Sequence, residues 1–182
     1  MESYVTPLEL ISLLAPPLAG AALATCAVVF YQPKPVAGWR SISPGLGYWI
    51  ALLLCLALSV LIAWVWAFIG SSRVDGAFQM RVAWWLALIF GCGAAFAGQR
   101  IVRLYRQALR WRGDALAWNG SSGNVPMRSL VSLQTNVFGF AQARFEGGRT
   151  LSVDLAAAGA SELVERLEDV NGLGPEDRPG EH

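Results

Sequence analysis

Histidine is all but missing from this chain of 182 residues: a single copy, His182, stands at the C-terminal end. That shortage removes the usual general base, most metal sites and the usual axial ligand for haem or chlorophyll. Cysteine offers no substitute. Cys26, Cys55 and Cys92 fall one in each hydrophobic run, without metal or redox spacing. They read as small apolar packing residues. Neither GxGxxG nor a phosphate-binding GxxxxGK loop occurs, and Ser129 and Ser132 have no base near them in sequence. The sequence therefore points away from an enzyme, from bound cofactors and metals, and from a small-molecule substrate.

Charge is scarce as well. Only 15% of the residues are charged, where a soluble domain carries about 25%. From Leu10 to Gln99 the charged side chains are Lys34, Arg40, Arg73, Asp75 and Arg81. Asp75, the one acid among them, lies between hydrophobic runs and not within one, so no buried carboxylate is available to relay protons. The runs also show no internal repeat, which speaks against a transporter or channel. Lys34 is the only lysine beside thirteen arginines, a bias associated with GC-rich bacterial genomes. The N-terminal "MESYVTPLE" is acidic and has no positive n-region, so no signal peptide is expected.

What is present is apolar: 54% of the chain is hydrophobic. Residues 47–70, "GYWIALLLCLALSVLIAWVWAFIG", carry no charge over 24 residues. As a helix they would cover about 36 Å, enough to cross a hydrocarbon core of about 30 Å. Tyr48 and Trp49 at one end and Trp64, Trp66 and Phe68 near the other provide interfacial aromatics. Residues 82–99 form a second run, bounded by Arg81 and Arg100. Its helix can continue to about 103, because arginine stems lie in the apolar layer while their heads reach water. Residues 10–31 form a third run, interrupted by Pro16-Pro17. Proline removes a backbone donor, so the run is expected either to span with a kink or to lie partly along the interface, and the kinked span is preferred. Small residues at helical spacing mark packing faces: Gly20 and Ala24 in the first span, Gly91, Ala95 and Gly98 in the last. Packing within the molecule is favoured over packing on an external helix.

Five arginines, at 100, 103, 106, 110 and 112, follow the last run. Positive charge is retained in the cytoplasm. The expected topology is an N-terminus outside, loop 32–46 inside, loop 71–81 outside and a cytoplasmic C-terminal domain. Arg100, Arg103, Arg106 and Arg110 would share a 120° arc of a helix, as a collar gaining about 1 kcal/mol per residue from an anionic leaflet. Arg110 and Arg112 also fit the outward face of a first strand.

Beyond about Gln107 the hydrophobic period changes from helical to alternating. Leu109 and Trp111 share a face, as do Leu116 and Trp118; "NGSSGN" is a loop; 125–135 is one strand with an irregular start at Pro126. "AQARF", the turn "EGG" and "TLSVDL" make a hairpin. Ser161 is the expected N-cap of a closing helix whose stripe is Leu163, Val164, Leu167 and Val170, ended by Asn171-Gly172. Trp111 and Trp118 fall on the core face, which argues against nucleic-acid binding through exposed aromatics. The succession "ALRWRGDALAW", "VPMRSLVSLQ", "ARFEGGRTLSVDL", "ASELVERLEDV" resembles the pleckstrin-homology-like domains of small bacterial membrane proteins. The resemblance covers 107–170 and implies seven strands closed by a helix, where the alternation itself marks about five.

The expected architecture is a membrane domain, 1–106, with spans near 10–31, 47–70 and 82–103, the first kinked at its prolines. A small α+β domain, 107–170, of about five antiparallel strands and one C-terminal helix follows, then a polar tail, 171–182. The expected role is a non-catalytic accessory subunit bracing a larger bacterial inner-membrane complex, of an energy-transducing, respiratory or photosynthetic kind. Its partners would be other membrane subunits and anionic lipid headgroups. The alternative is a free-standing membrane protein whose domain binds anionic lipid or a signalling partner.

Overall fold

A computed structural model describes residues 6–31, 36–68, 76–121, 123–170 and 172. Arg73 and Asp75 of the second connector, Lys34 of the first, Asn171 and the tail with His182 lie outside the described residues. Internal packing divides the chain into two units, Met1–Tyr31 with Leu46–Arg103 and Gln32–Gly45 with Leu104–His182.

The first unit is helical. Among the described residues three helices are long and apolar enough to cross a membrane: α1 (Pro7–Tyr31), α2 (Leu46–Phe68) and α3 (Gly76–Gln107). α1 starts ahead of its apolar run because its first turn is capped. Thr6 Oγ1 accepts from the Glu9 amide at 3.4 Å and Glu9 Oε2 accepts from the Thr6 amide at 3.1 Å, a capping box with proline at the first helical position. The helix continues through Pro16 and Pro17 as one 25-residue element, about 37 Å long. α3, at 32 residues, overruns its apolar run at both ends. Arginine is a good helix former, so charge ends the apolar run without ending the helix.

Between the helices the contacts are made by small residues. A Cβ built on Gly20 would strike the Ala94 carbonyl, and one on Gly98 would strike the Gly20 carbonyl. Gly91 lies against the proline pair, with Pro17 Cδ 3.0 Å and Pro16 Cβ 3.2 Å from the place its Cβ would take. Ser59, fully buried, donates from Oγ to the Ala87 carbonyl at 2.9 Å and so ties α2 to α3. Leu13, Ala63 and Ala87 form a buried cluster, flanked by Leu14, Ile62, Trp66 and Trp84. Large side chains such as Leu53, Leu61, Trp85 and Ile89 face outward, as lipid-facing positions do. Of the cysteines, Cys26 and Cys92 are exposed, and Cys55 packs toward α3, with Sγ 3.2 Å from the Cβ position of Gly93.

The second unit is an antiparallel β structure closed by a helix. The alternation predicts about five strands, and the described residues form seven. β1 (Arg40–Ser41), β2 (Arg110–Arg112), β3 (Ala115–Ala117) and β4 (Val125–Pro126) make one sheet in that order; β5 (Leu130–Thr135), β6 (Phe140–Phe145) and β7 (Thr150–Asp154) make another. Two differences account for the count. The expected strand 125–135 is two strands separated by a 3-10 turn at Met127–Ser129. β1 comes from the connector between α1 and α2, with Arg40 opposite Trp111 and Ser41 opposite Arg110. Two residues are too few to show a period of two, and their partner lies far along the chain. Because β1 and β2 share a sheet, the connector and the C-terminal strands lie on the same side of any membrane that α2 and α3 cross.

The core of this unit holds Leu109, Trp111, Leu116, Val125, Met127, Phe145, Leu151 and Val153. α4 (Ala160–Val170) adds Ala160, Leu163 and Leu167, whereas Val170 is exposed. Ser161 is not the cap. The first helical bond runs from the Leu163 amide to the Gly159 carbonyl at 3.2 Å, so Ser161 falls within the first turn. Gly159, at φ +85°, makes the entry, with Trp111 Cη2 3.2 Å from where a Cβ would sit. Gly172 ends the helix, its amide donating to the Asp169 carbonyl at 3.3 Å.

Candidate functional site

The five arginines divide between two elements. Arg100, Arg103 and Arg106 occupy successive turns near the end of α3, and the Arg100 guanidinium lies over the Phe96 ring, 4.9 Å from its centroid. α3 stops at Gln107, and Ala108 turns the chain at φ +46°, a left-handed conformation uncommon for a residue with a Cβ. Arg110 therefore does not continue the helical arc. Asn119 fastens the turn: its amide donates to the Gln107 carbonyl at 2.8 Å and its Nδ2 to the Arg106 carbonyl at 3.0 Å.

Arg110 and Arg112 stand on the outward face of β2 with Trp111 buried between them, as alternation requires. Their surroundings come from the connector. The Arg110 guanidinium lies over the Trp39 ring, 5.2 Å from the centroid. The Arg112 Cζ is 3.4 Å from the Cβ position of Gly38. Their cross-strand neighbours are small: Ser41 and Ala117 beside Arg110, Ala115 beside Arg112. Stacking on Trp39 limits the rotamers of Arg110 and leaves guanidinium edges free to meet a planar anion. Two other arginines of the unit have carboxylate partners: Arg40 pairs with Glu162, and Arg128 Nε reaches Asp114 Oδ2 at 2.6 Å.

A second exposed feature is the β5–β6 turn. Val137 and Phe138 are 96% and 79% exposed. Their turn is held by Asn136 Oδ1, which accepts from the Phe138 and Phe140 amides at 3.1 and 3.0 Å.

The packing residues are used within the bundle. Gly20, Ala24, Gly91 and Gly98 are buried, and Ala95 is half-buried. Among the described residues no three His, Cys, Asp or Glu side chains come together to hold a metal. Among the described residues, the buried indole Nε1 of Trp111 is without a hydrogen-bond partner. Trp39 and Gly38 escape sequence reasoning because their connector reads as a loop, and the two residues of β1 carry no period that would mark a strand there.

The fold defines the chain as a multi-pass membrane protein with a small antiparallel β domain closed by a helix. No family model matches it, and no match is found among curated proteins or among solved structures.

Proposed function

We propose that this chain is a non-catalytic accessory subunit of a larger membrane complex, seated in a bacterial cytoplasmic membrane with its β domain in the cytoplasm. The observation that carries the reading is the outward face of β2. Arg110 and Arg112 are exposed, braced by Trp39 and Gly38, and set among small side chains. Such a surface suits an acidic edge on another protein, because buried Arg–carboxylate pairs with planar geometry specify orientation. The exposed Val137–Phe138 turn adds an apolar contact of the kind a partner covers. The small-residue faces do not support an external helix partner, since they pack within the bundle. The cytoplasmic placement rests on the arginines at the end of α3 and on β2.

A second reading is favoured by Arg103 and Arg106, both exposed where α3 leaves its apolar stretch: the domain side binds anionic headgroups. Antiparallel strands followed by a closing helix are compatible with either reading.

Gentle detergent extraction and native electrophoresis separate the two. An accessory subunit migrates in a large stoichiometric assembly, and Arg110→Glu with Arg112→Glu releases it without unfolding it, because both side chains point away from the core. Migration alone, together with salt-sensitive binding to anionic vesicles, would replace the first reading by the second.

A further inference from the structure

From Gly38 to Gly45 the connector between α1 and α2 is bound into the C-terminal domain. The Trp39 ring lies under the Arg110 guanidinium. Arg40 pairs with Glu162 at the start of α4. The Ile42 amide donates to the Leu109 carbonyl at 3.0 Å, and Ile42 is only 4% exposed. Ser43 exchanges two backbone bonds with Ala158, at 3.3 and 2.9 Å. Pro44 is buried, and the Cβ position of Gly45 is 3.0 Å from the Ala156 carbonyl. The segment thus closes the edge of β2 and supplies a core side chain, and it touches β2, the turn before α4 and α4 itself.

Both α2 and α3 lie in the chain between β1 and β2. The pairing can form only when the two helices return the chain to the side it left. If one of them fails to cross, β1 is stranded on the opposite face of the membrane. β2 then keeps an open edge, and the core lacks Ile42. An open edge and an unfilled core both favour local unfolding and proteolysis.

We propose that residues 36–45 are a topology-dependent tie, which lets the C-terminal domain close only in molecules whose α2–α3 pair has crossed the membrane twice. The tie makes the folded domain a check on insertion, whatever partner the domain meets.

The test uses the full chain in native membranes, with Cys26, Cys55 and Cys92 replaced by alanine. Ser41→Cys with Arg110→Cys places two thiols at directly opposed strand positions, within disulfide reach. Gln142→Cys with Ser152→Cys, opposed on β6 and β7, serves as the control. Mild oxidation is expected to close the 41–110 bridge as completely as the control bridge. Ile42→Ala is expected to speed trypsin cleavage of the C-terminal domain by about tenfold or more, since cleavage follows the population of the opened state. Adding the 41–110 bridge to Ile42→Ala is expected to restore resistance. A control bridge that forms while the 41–110 bridge does not would overturn the proposal. So would an Ile42→Ala chain cleaved as slowly as the parent. If Ile42→Ala does not accumulate, the outcome of the 41–110 bridge in the otherwise native connector decides.

Discussion

Gly20 and Gly98 are positions where the absence of a side chain is itself the contact. The carbonyl of Gly20 occupies the space a Cβ on Gly98 would need, and the Ala94 carbonyl occupies the space beside Gly20. Neither neighbour is a flexible side chain, so no rotamer change relieves the clash. Gly20→Val is expected to separate α1 from α3 and lower stability by about 1–3 kcal/mol, the range for overpacking; thermal unfolding in detergent reads this as a lower Tm. An unchanged Tm would mean that the helices do not approach at this point. Ser59 contributes less. Hydrogen bonds between membrane helices average about 0.6 kcal/mol, so Ser59→Ala should shift the midpoint only slightly. The glycines were legible in the sequence as small residues at helical spacing, but spacing does not say which helix faces them. The proline pair illustrates the limit: its rings pack on Gly91, a relation between two distant positions that no local pattern encodes.

At the scale of elements, the centres of the helices follow from hydropathy and their ends do not. α1 begins at Pro7 because Thr6 and Glu9 cap it, a signal present in "TPLE" but lying outside the apolar run. α3 ends where the period changes, at Gln107, and the sequence marks that point well. The strands divide in the same way. β6 and β7 were legible because five or more alternating residues and a glycine turn define them. β1 and β4, two residues each, carry no period, and only tertiary pairing makes them strands. The same pairing splits the arginine cluster, taking Arg110 out of the helical arc and onto β2. The β5–β6 turn gives a direct test at this scale. Asn136→Ala removes the acceptor for the Phe138 and Phe140 amides. It should cost about 1 kcal/mol and raise amide exchange at those two positions by up to about tenfold, while β2 and β3 stay protected. Uniform exchange across the domain would show that the turn is not a local unit.

For the whole molecule, β1–β2 pairing fixes a parity. The connector and the C-terminal domain share one side of the membrane, whichever side that is, because exactly the two helices α2 and α3 separate them along the chain. Single cysteines at Val36 and Gln142, both exposed, placed in a chain without the native cysteines, should respond alike to a membrane-impermeant thiol reagent in sealed vesicles. Both are labelled in one vesicle orientation and neither in the other. Labelling of one alone would require an odd number of crossings and would break the sheet described above. Positive-inside reasoning reaches the same parity from a handful of charges; the sheet reaches it from backbone hydrogen bonds, independently of charge.

The close approach of α1 and α3 also sets the variation this chain can bear. At most positions of a lipid-facing helix many apolar residues are interchangeable, and drift is nearly free. At 20 and 98 the spelling has a single letter: even alanine, one carbon larger, meets backbone on the opposite helix. In a set of diverged copies that keep this bundle, those two columns should stay glycine while Leu53, Leu61 and Ile89 vary around them.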